Sequence, residues 1–220
     1  MTKARFTPLL LLLLMLAAPP VAQAQFTVGA YGLLNSAGLN GDTPEDFSYT
    51  GNTGFGFGLI GEFYLTDDIW LSVQPGIQPK GAGLEVELDD EEDPVKLGSV
   101  DLSYFSVPVL AKFVTVGGKV YVVSGVNFGF LTSAEVNSEE GDSEPVDIKD
   151  SLRSFDLALD FGVGGQLPVG KIKIMLEARY EQGLLNIVDE TSSEGALRAR
   201  VRSSGLELLA GILLPLGGGR

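Results

Sequence analysis

Taken two residues at a time, the chain separates into faces. In segment 171–184, Ile172, Ile174, Leu176, Ala178 and Tyr180 fall on one side, and Lys171, Lys173, Met175, Glu177, Arg179 and Glu181 on the other. This is the period of a β-strand with one apolar and one charged face. Segment 153–167 repeats it, with Phe155, Leu157, Leu159, Phe161 and Val163 opposed to Asp156, Asp160, Gly162, Gly164 and Gln166. Segment 53–65 sets Phe55, Phe57, Leu59 and Phe63 against Gly54, Gly56, Gly58 and Glu62, and segment 69–83 sets Ile69, Leu71, Val73 and Ile77 against Trp70, Ser72, Gln74, Gln78 and Lys80. Further strands are predicted at 26–34, 100–115, 119–134 and 203–216. The last is the least clearly divided, because Leu209 and Leu213 share a face with Glu207.

The joints between these eight segments alternate in length. Thr66-Asp67-Asp68, Val116-Gly117-Gly118 and Pro168-Val169-Gly170 are short and made of turn formers. The stretches 35–52, 84–99, 135–152 and 185–202 are long and rich in Gly, Ser, Asn, Asp and Glu. Strict alternation collects the long joints at one end, and an even strand number brings both termini to the other. Outer-membrane barrels are built this way, whereas nothing forces a soluble sandwich to alternate its loops. The predicted fold is all-β: an eight-stranded antiparallel up-and-down transmembrane β-barrel.

The faces must then be assigned. A lumen of eight strands is only wide enough for side chains to fill, and the apolar face carries more Phe and Leu than it could hold. The charged face is therefore assigned to the interior. Its candidate residues are Glu62, Lys80, Lys112, Asp156, Asp160, Lys173, Glu177, Arg179, Glu181 and Glu207. Both signs are present, so the expectation is a structural plug of salt bridges and hydrogen bonds whose members satisfy one another. A proton or ion path along the same residues is the alternative. Phe26, Phe63, Tyr64, Trp70, Phe113 and Tyr121 cluster near the short-turn ends, which predicts an interfacial aromatic belt there.

Before the first strand, Lys3 and Arg5 precede an apolar run at 9–18 and the triplet Ala22-Gln23-Ala24. The run is too short to span a bilayer as a helix, and the layout is that of a cleaved signal peptide. The expected division is a signal peptide at 1–24 and a barrel domain at 25–220, exported to the outer membrane of a Gram-negative-type bacterium.

Charge and composition narrow the chemistry. The net charge is −14, so nucleic acid is not an expected partner. With no His and no Cys, imidazole-assisted nucleophiles and ordinary zinc sites are excluded. The carboxylates of Asp156 and Asp160, or of Glu177 and Glu181, stand roughly 13 Å apart along a strand, farther than glycosidase pairs use. No enzyme activity and no cofactor are expected. The acidic stretches Glu87, Asp89, Asp90, Glu91, Glu92, Asp93 and Glu135, Glu139, Glu140, Asp142, Glu144, Asp147 match no EF-hand spacing. They read as a solvated rim that gathers divalent cations diffusely. Arg198, Arg200 and Arg202 repeat at period two, suited to pairing with those acidic loops or with lipid phosphates at the outer rim.

Several stretches together resemble the PorT-like outer-membrane β-barrel family: Gly54-Phe55-Gly56-Phe57-Gly58-Leu59, Glu62-Phe63-Tyr64-Leu65, Val73-Gln74-Pro75 with Lys80-Gly81-Ala82, Leu102-Ser103-Tyr104-Phe105-Ser106-Val107-Pro108-Val109-Leu110, residues 125–131, Asp147-Ile148-Lys149-Asp150, and Ala178-Arg179-Tyr180 leading to Gly183-Leu184. The resemblance implies an eight-stranded outer-membrane barrel without enzyme activity. Through the family's name-giving member it implies a link to protein secretion. Relatives end their last strand on an aromatic residue, whereas this chain ends Leu213-Leu214-Pro215-Leu216-Gly217-Gly218-Gly219-Arg220, so Leu216 is the substitute expected in the assembly signal. The expected function is a non-enzymatic protein seated in outer-membrane lipid, offering its long loops to a protein partner. A narrow channel and a periplasmic barrel that binds apolar ligands are the readings from other classes.

Overall fold

Bilayer hydrocarbon holds no water to satisfy backbone N–H and C=O groups, so strands can cross it only in a closed ring. The computed structural model describes residues 26–41, 47–86, 95–115, 117–138, 144–188 and 201–216. The predicted signal peptide, the acidic run at 87–93, Glu139, Glu140, Asp142, Arg198, Arg200 and the tail at 217–220 lie outside them.

The strands are β1 (Phe26–Gly41), β2 (Phe47–Tyr64), β3 (Ile69–Val73), β4 (Gly76–Val86), β5 (Val95–Val114), β6 (Val120–Ser138), β7 (Val146–Asp147), β8 (Phe155–Val169), β9 (Ile172–Gly183) and β10 (Val201–Leu216). β3 and β4 are the two halves of one stave, since both pair with β2 on one side and β5 on the other. β7 is a two-residue attachment to β6. The remaining pairings close a ring of eight antiparallel staves, β10 returning to β1 from Phe26 opposite Leu216 to Gly41 opposite Val201. Phe26 and Leu216 therefore sit at the short-turn end.

Two features differ from the expected strands. The predicted strand at 69–83 divides at Gln74 and Pro75, because proline has no N–H to donate to a ladder. Neighbours reach across the break: Leu59 N donates to Pro75 O (2.8 Å) and Gln74 N to Pro108 O (3.0 Å). Second, the strands run farther into the polar joints, to Gly41, from Phe47, to Val86, from Val95 and to Ser138. Polar composition there reflects contact with water, not loss of the ladder.

The apolar face points outward. Phe55, Leu59, Leu176 and Leu206 are each more than half exposed, the reverse of what a soluble barrel for apolar ligands needs. The aromatic belt is smaller than expected: Trp70 and Tyr121 are buried in the lumen and Tyr64 is half-buried, leaving Phe26, Phe63 and Phe113 for the outer surface. Strand period is the reason, since Trp70 shares its face with Ser72 and Gln74.

Inside, bare glycines make room for tyrosines. A Cβ on Gly58 would lie 2.6 Å from the Tyr31 hydroxyl, and one on Gly164 would overlap the Tyr121 ring. Replacing Gly164 with Ala should cost about 1–3 kcal/mol, the usual penalty of overpacking. The check is a lowered urea midpoint for loss of the heat-modifiable folded band in phospholipid vesicles.

Candidate functional site

Because the barrel closes with its charged faces inward, residues far apart in sequence meet across a narrow bore. The lower level is built on Lys112 of β5. Its Nζ donates to Glu62 Oε1 of β2 (2.6 Å) and to Gln166 Oε1 of β8 (3.0 Å), and lies 3.9 Å from the centre of the Tyr121 ring. Lys173 stands nearer the turns, half-buried, 4.9 Å above the Trp70 ring and 3.4 Å from the Tyr64 hydroxyl.

The next level turns on Arg179 of β9. Its guanidinium donates to Glu177 through Nε (2.9 Å) and again through Nη2, and Nη2 also donates to Gln74 Oε1 (2.7 Å). Asp160 Oδ2 and Glu207 Oε2 lie 3.6 and 3.7 Å from Nη1. Lys80 of β4 forms the upper level, 2.6 Å from Glu181 Oε1 and 3.1 Å from Asp156 Oδ2, which also accepts from Ser203 Oγ (3.0 Å). Amides join the levels: Gln78 Nε2 donates to Glu181 (3.0 Å) and to Glu207, while Asn127 Nδ2 donates to Gln78 Oε1 (3.0 Å) and Glu181 Oε2 (2.6 Å).

Nine of the ten candidate residues are thus fully buried, and Lys173 is at the rim. Sequence reasoning passed over Gln74, Gln78, Asn127, Gln166 and Ser203 as members of the network. Their signal was position alone, on the same face as the charges; a neutral amide does not announce itself as a charge does. Charge pairing in water-free surroundings favours a group only where its partners are geometrically in place, and here each of the three buried cations faces at least one carboxylate within 3.1 Å.

Apolar clusters flank these levels. Trp70, Leu110, Val114, Tyr121 and Val123 pack near the turns, and Tyr31, Leu33, Ile60, Met175, Leu209 and Leu213 pack against another wall. At the loop end Leu39, Leu102, Tyr104, Leu131, Ile187 and Val201 close the mouth. Ile187 comes from the stretch after β9 and is held by its N–H to Val201 O (2.9 Å) and by Arg153 N to its own carbonyl (2.9 Å). Among the described residues no group of three or more acidic side chains is placed to hold a metal ion. The arrangement can bind wall to wall and exclude water.

A family model described as the outer membrane protein beta-barrel domain matches residues 21–189. The crystal structure of the outer membrane protein OprG from Pseudomonas aeruginosa is similar, with a TM-score of 0.52 at 13% identity, covering 89% of this chain and 97% of that one. Neisserial surface protein A gives a TM-score of 0.48 at 12% identity, covering 87% and 97%. No curated protein sequence matches this one.

Replacing Lys112 with Met should cost about 3–5 kcal/mol, because it leaves Glu62 buried without its cation. The double variant Lys112→Met, Glu62→Met should regain most of that loss. Urea unfolding of the two variants in vesicles measures the difference.

Proposed function

The chain belongs to the outer membrane protein beta-barrel domain family, and from that premise we propose that it works as a plugged, non-enzymatic scaffold that holds its long hairpins at the cell surface for a protein partner. It is an outer-membrane protein of a Gram-negative-type bacterium. The observation that carries the proposal is the filling of the bore: Ser72, Leu110, Tyr104, Tyr121, Asp160 and Leu213 have no accessible surface, and the ion pairs lie between the apolar clusters at its two ends. An aqueous path would have to break those pairs, which favours a closed lumen over a narrow channel.

Strand length supports the surface role. β1, β2, β5 and β6 run 16 to 20 residues, whereas about nine to eleven cross the hydrocarbon. The surplus lifts the hairpins clear of the membrane. The exposed carboxylates Glu135, Glu144 and Asp147 belong to that rim, and a net charge of −14 favours a partner with a basic docking face and a diffuse cloud of divalent cations. The PorT-like character of the sequence makes an accessory part in secretion the finer form of this reading.

Reconstituted in a planar bilayer, the protein should pass no steady current; open steps of constant size would overturn the closed lumen. Photo-crosslinking from Glu135 in intact cells should capture a protein neighbour. Capture of lipid alone would remove the interaction role.

A further inference from the structure

On the membrane-distal parts of β2, β4, β5 and β6 the barrel carries a polar recess. Ala82 and Leu102 point into the lumen, so Gly83 and Asp101 beside them face outward. There Thr50, Asn52, Ser99, Asn137 and Ser138, with Gly51, Gly83 and Gly98, line a cavity of about 240 Å³. Every described lining residue is a hydroxyl, a carboxamide or a glycine. Strand pairing sets Thr50 against Gly83, Gly83 against Ser99, and Ser99 against Asn137, so the groups come from four staves and keep their spacing as a rigid unit.

Asp101 organises them. Its Oδ1 accepts from Asn52 Nδ2 (2.5 Å), and its Oδ2 accepts from Asn137 Nδ2 (2.5 Å) and Ser99 Oγ (2.9 Å). One carboxylate thereby holds two amides through their Nδ2 groups, which leaves their oxygens outside these bonds, and Thr50 and Ser138 line the same recess. At Gly83 a Cβ would meet the Thr50 hydroxyl at 2.5 Å, so the wall there must stay bare.

We propose that this recess binds a neutral sugar ring. A hard cation would need free anionic oxygens, and three donors already occupy those of Asp101. An anion would meet no Lys or Arg among the described lining residues and a net charge of −14. An apolar ligand would meet no apolar side chain among the described lining residues. What remains is a compact molecule with closely set hydroxyls, each both donor and acceptor, which is the chemistry of a pyranose. Asp101 lies four residues along β5 from Phe105, an exposed aromatic of the apolar band, or about 13 Å at strand rise. The recess is therefore at headgroup height, within reach of a lipid-borne sugar head or a soluble glycan.

The test uses the protein in phosphatidylcholine nanodiscs free of sugar-headed detergent. Saturation-transfer NMR with methyl glucoside and methyl galactoside should show transfer to ring protons. It should vanish in Asp101→Ala, which frees the amides, and in Ser138→Leu, which fills the recess from an exposed strand end; heat-modifiable migration confirms that both variants fold. Adding a galactosyl diacylglycerol to the nanodisc separates the sources: competition assigns the site to a lipid head, and unchanged transfer assigns it to a soluble glycan. Absence of transfer from every sugar probe, equal transfer in Ser138→Leu, or a response of the Asn52 and Asn137 side-chain amides to calcium chloride alone would overturn the proposal.

Discussion

The seam between the first and last strands is the pairing on which the rest depends. In hydrocarbon an unpaired strand edge leaves a row of N–H and C=O groups with no partner at all, and the register from Phe26 opposite Leu216 to Gly41 opposite Val201 removes that edge. Once the seam is shut, each residue is either inside or outside, and period two decides which. Outside, Phe55, Leu59, Leu176 and Leu206 need no partner beyond lipid. Inside, polar side chains crowd a bore of eight staves, so most must find a complement there, although the hydroxyls of Tyr104 and Ser106 have no hydrogen-bond partner among the described residues.

That demand explains the order along the bore. Lys80 reaches across the bore from β4 to Asp156 of β8 and Glu181 of β9, Lys112 reaches past one stave from β5 to Glu62 of β2, and Arg179 pairs with Glu177 of its own strand. Gln78 joins the Lys80 and Arg179 levels through Glu181 and Glu207. The apolar clusters at either end keep water away and so strengthen the electrostatic pairs between them. Neither part would hold alone: charges without the apolar ends would hydrate, and the ends without the charges would leave the middle hollow.

Much of this was legible in the chain. The split faces of 171–184 and 153–167, and the alternation of short and long joints, were enough for strand number, orientation and the charged lumen. What escaped was set by interactions that no single segment contains. The break at Gln74 and Pro75 depends on how β2 and β5 bridge it, whereas the inward turn of Trp70 follows from strand period and was readable from its place beside Ser72 and Gln74; Lys112 lies over the Trp70 and Tyr121 rings. Strand ends escaped because Asn, Ser and Gly above the membrane resemble loop while their backbones still pair. Asp101 with Asn52 and Asn137 was invisible for the same reason, its partners lying 49 and 36 residues away.

The pairing of bare glycines with tyrosines bears on how such a barrel drifts through descent. Outward residues can be exchanged one at a time, since lipid asks only that they be apolar. Gly164 and Tyr121 are locked as a couple: the small member cannot grow until the large one shrinks. Lineages of this protein should therefore wander freely on the surface and move by paired steps within, leaving co-varying positions as the imprint of the bore.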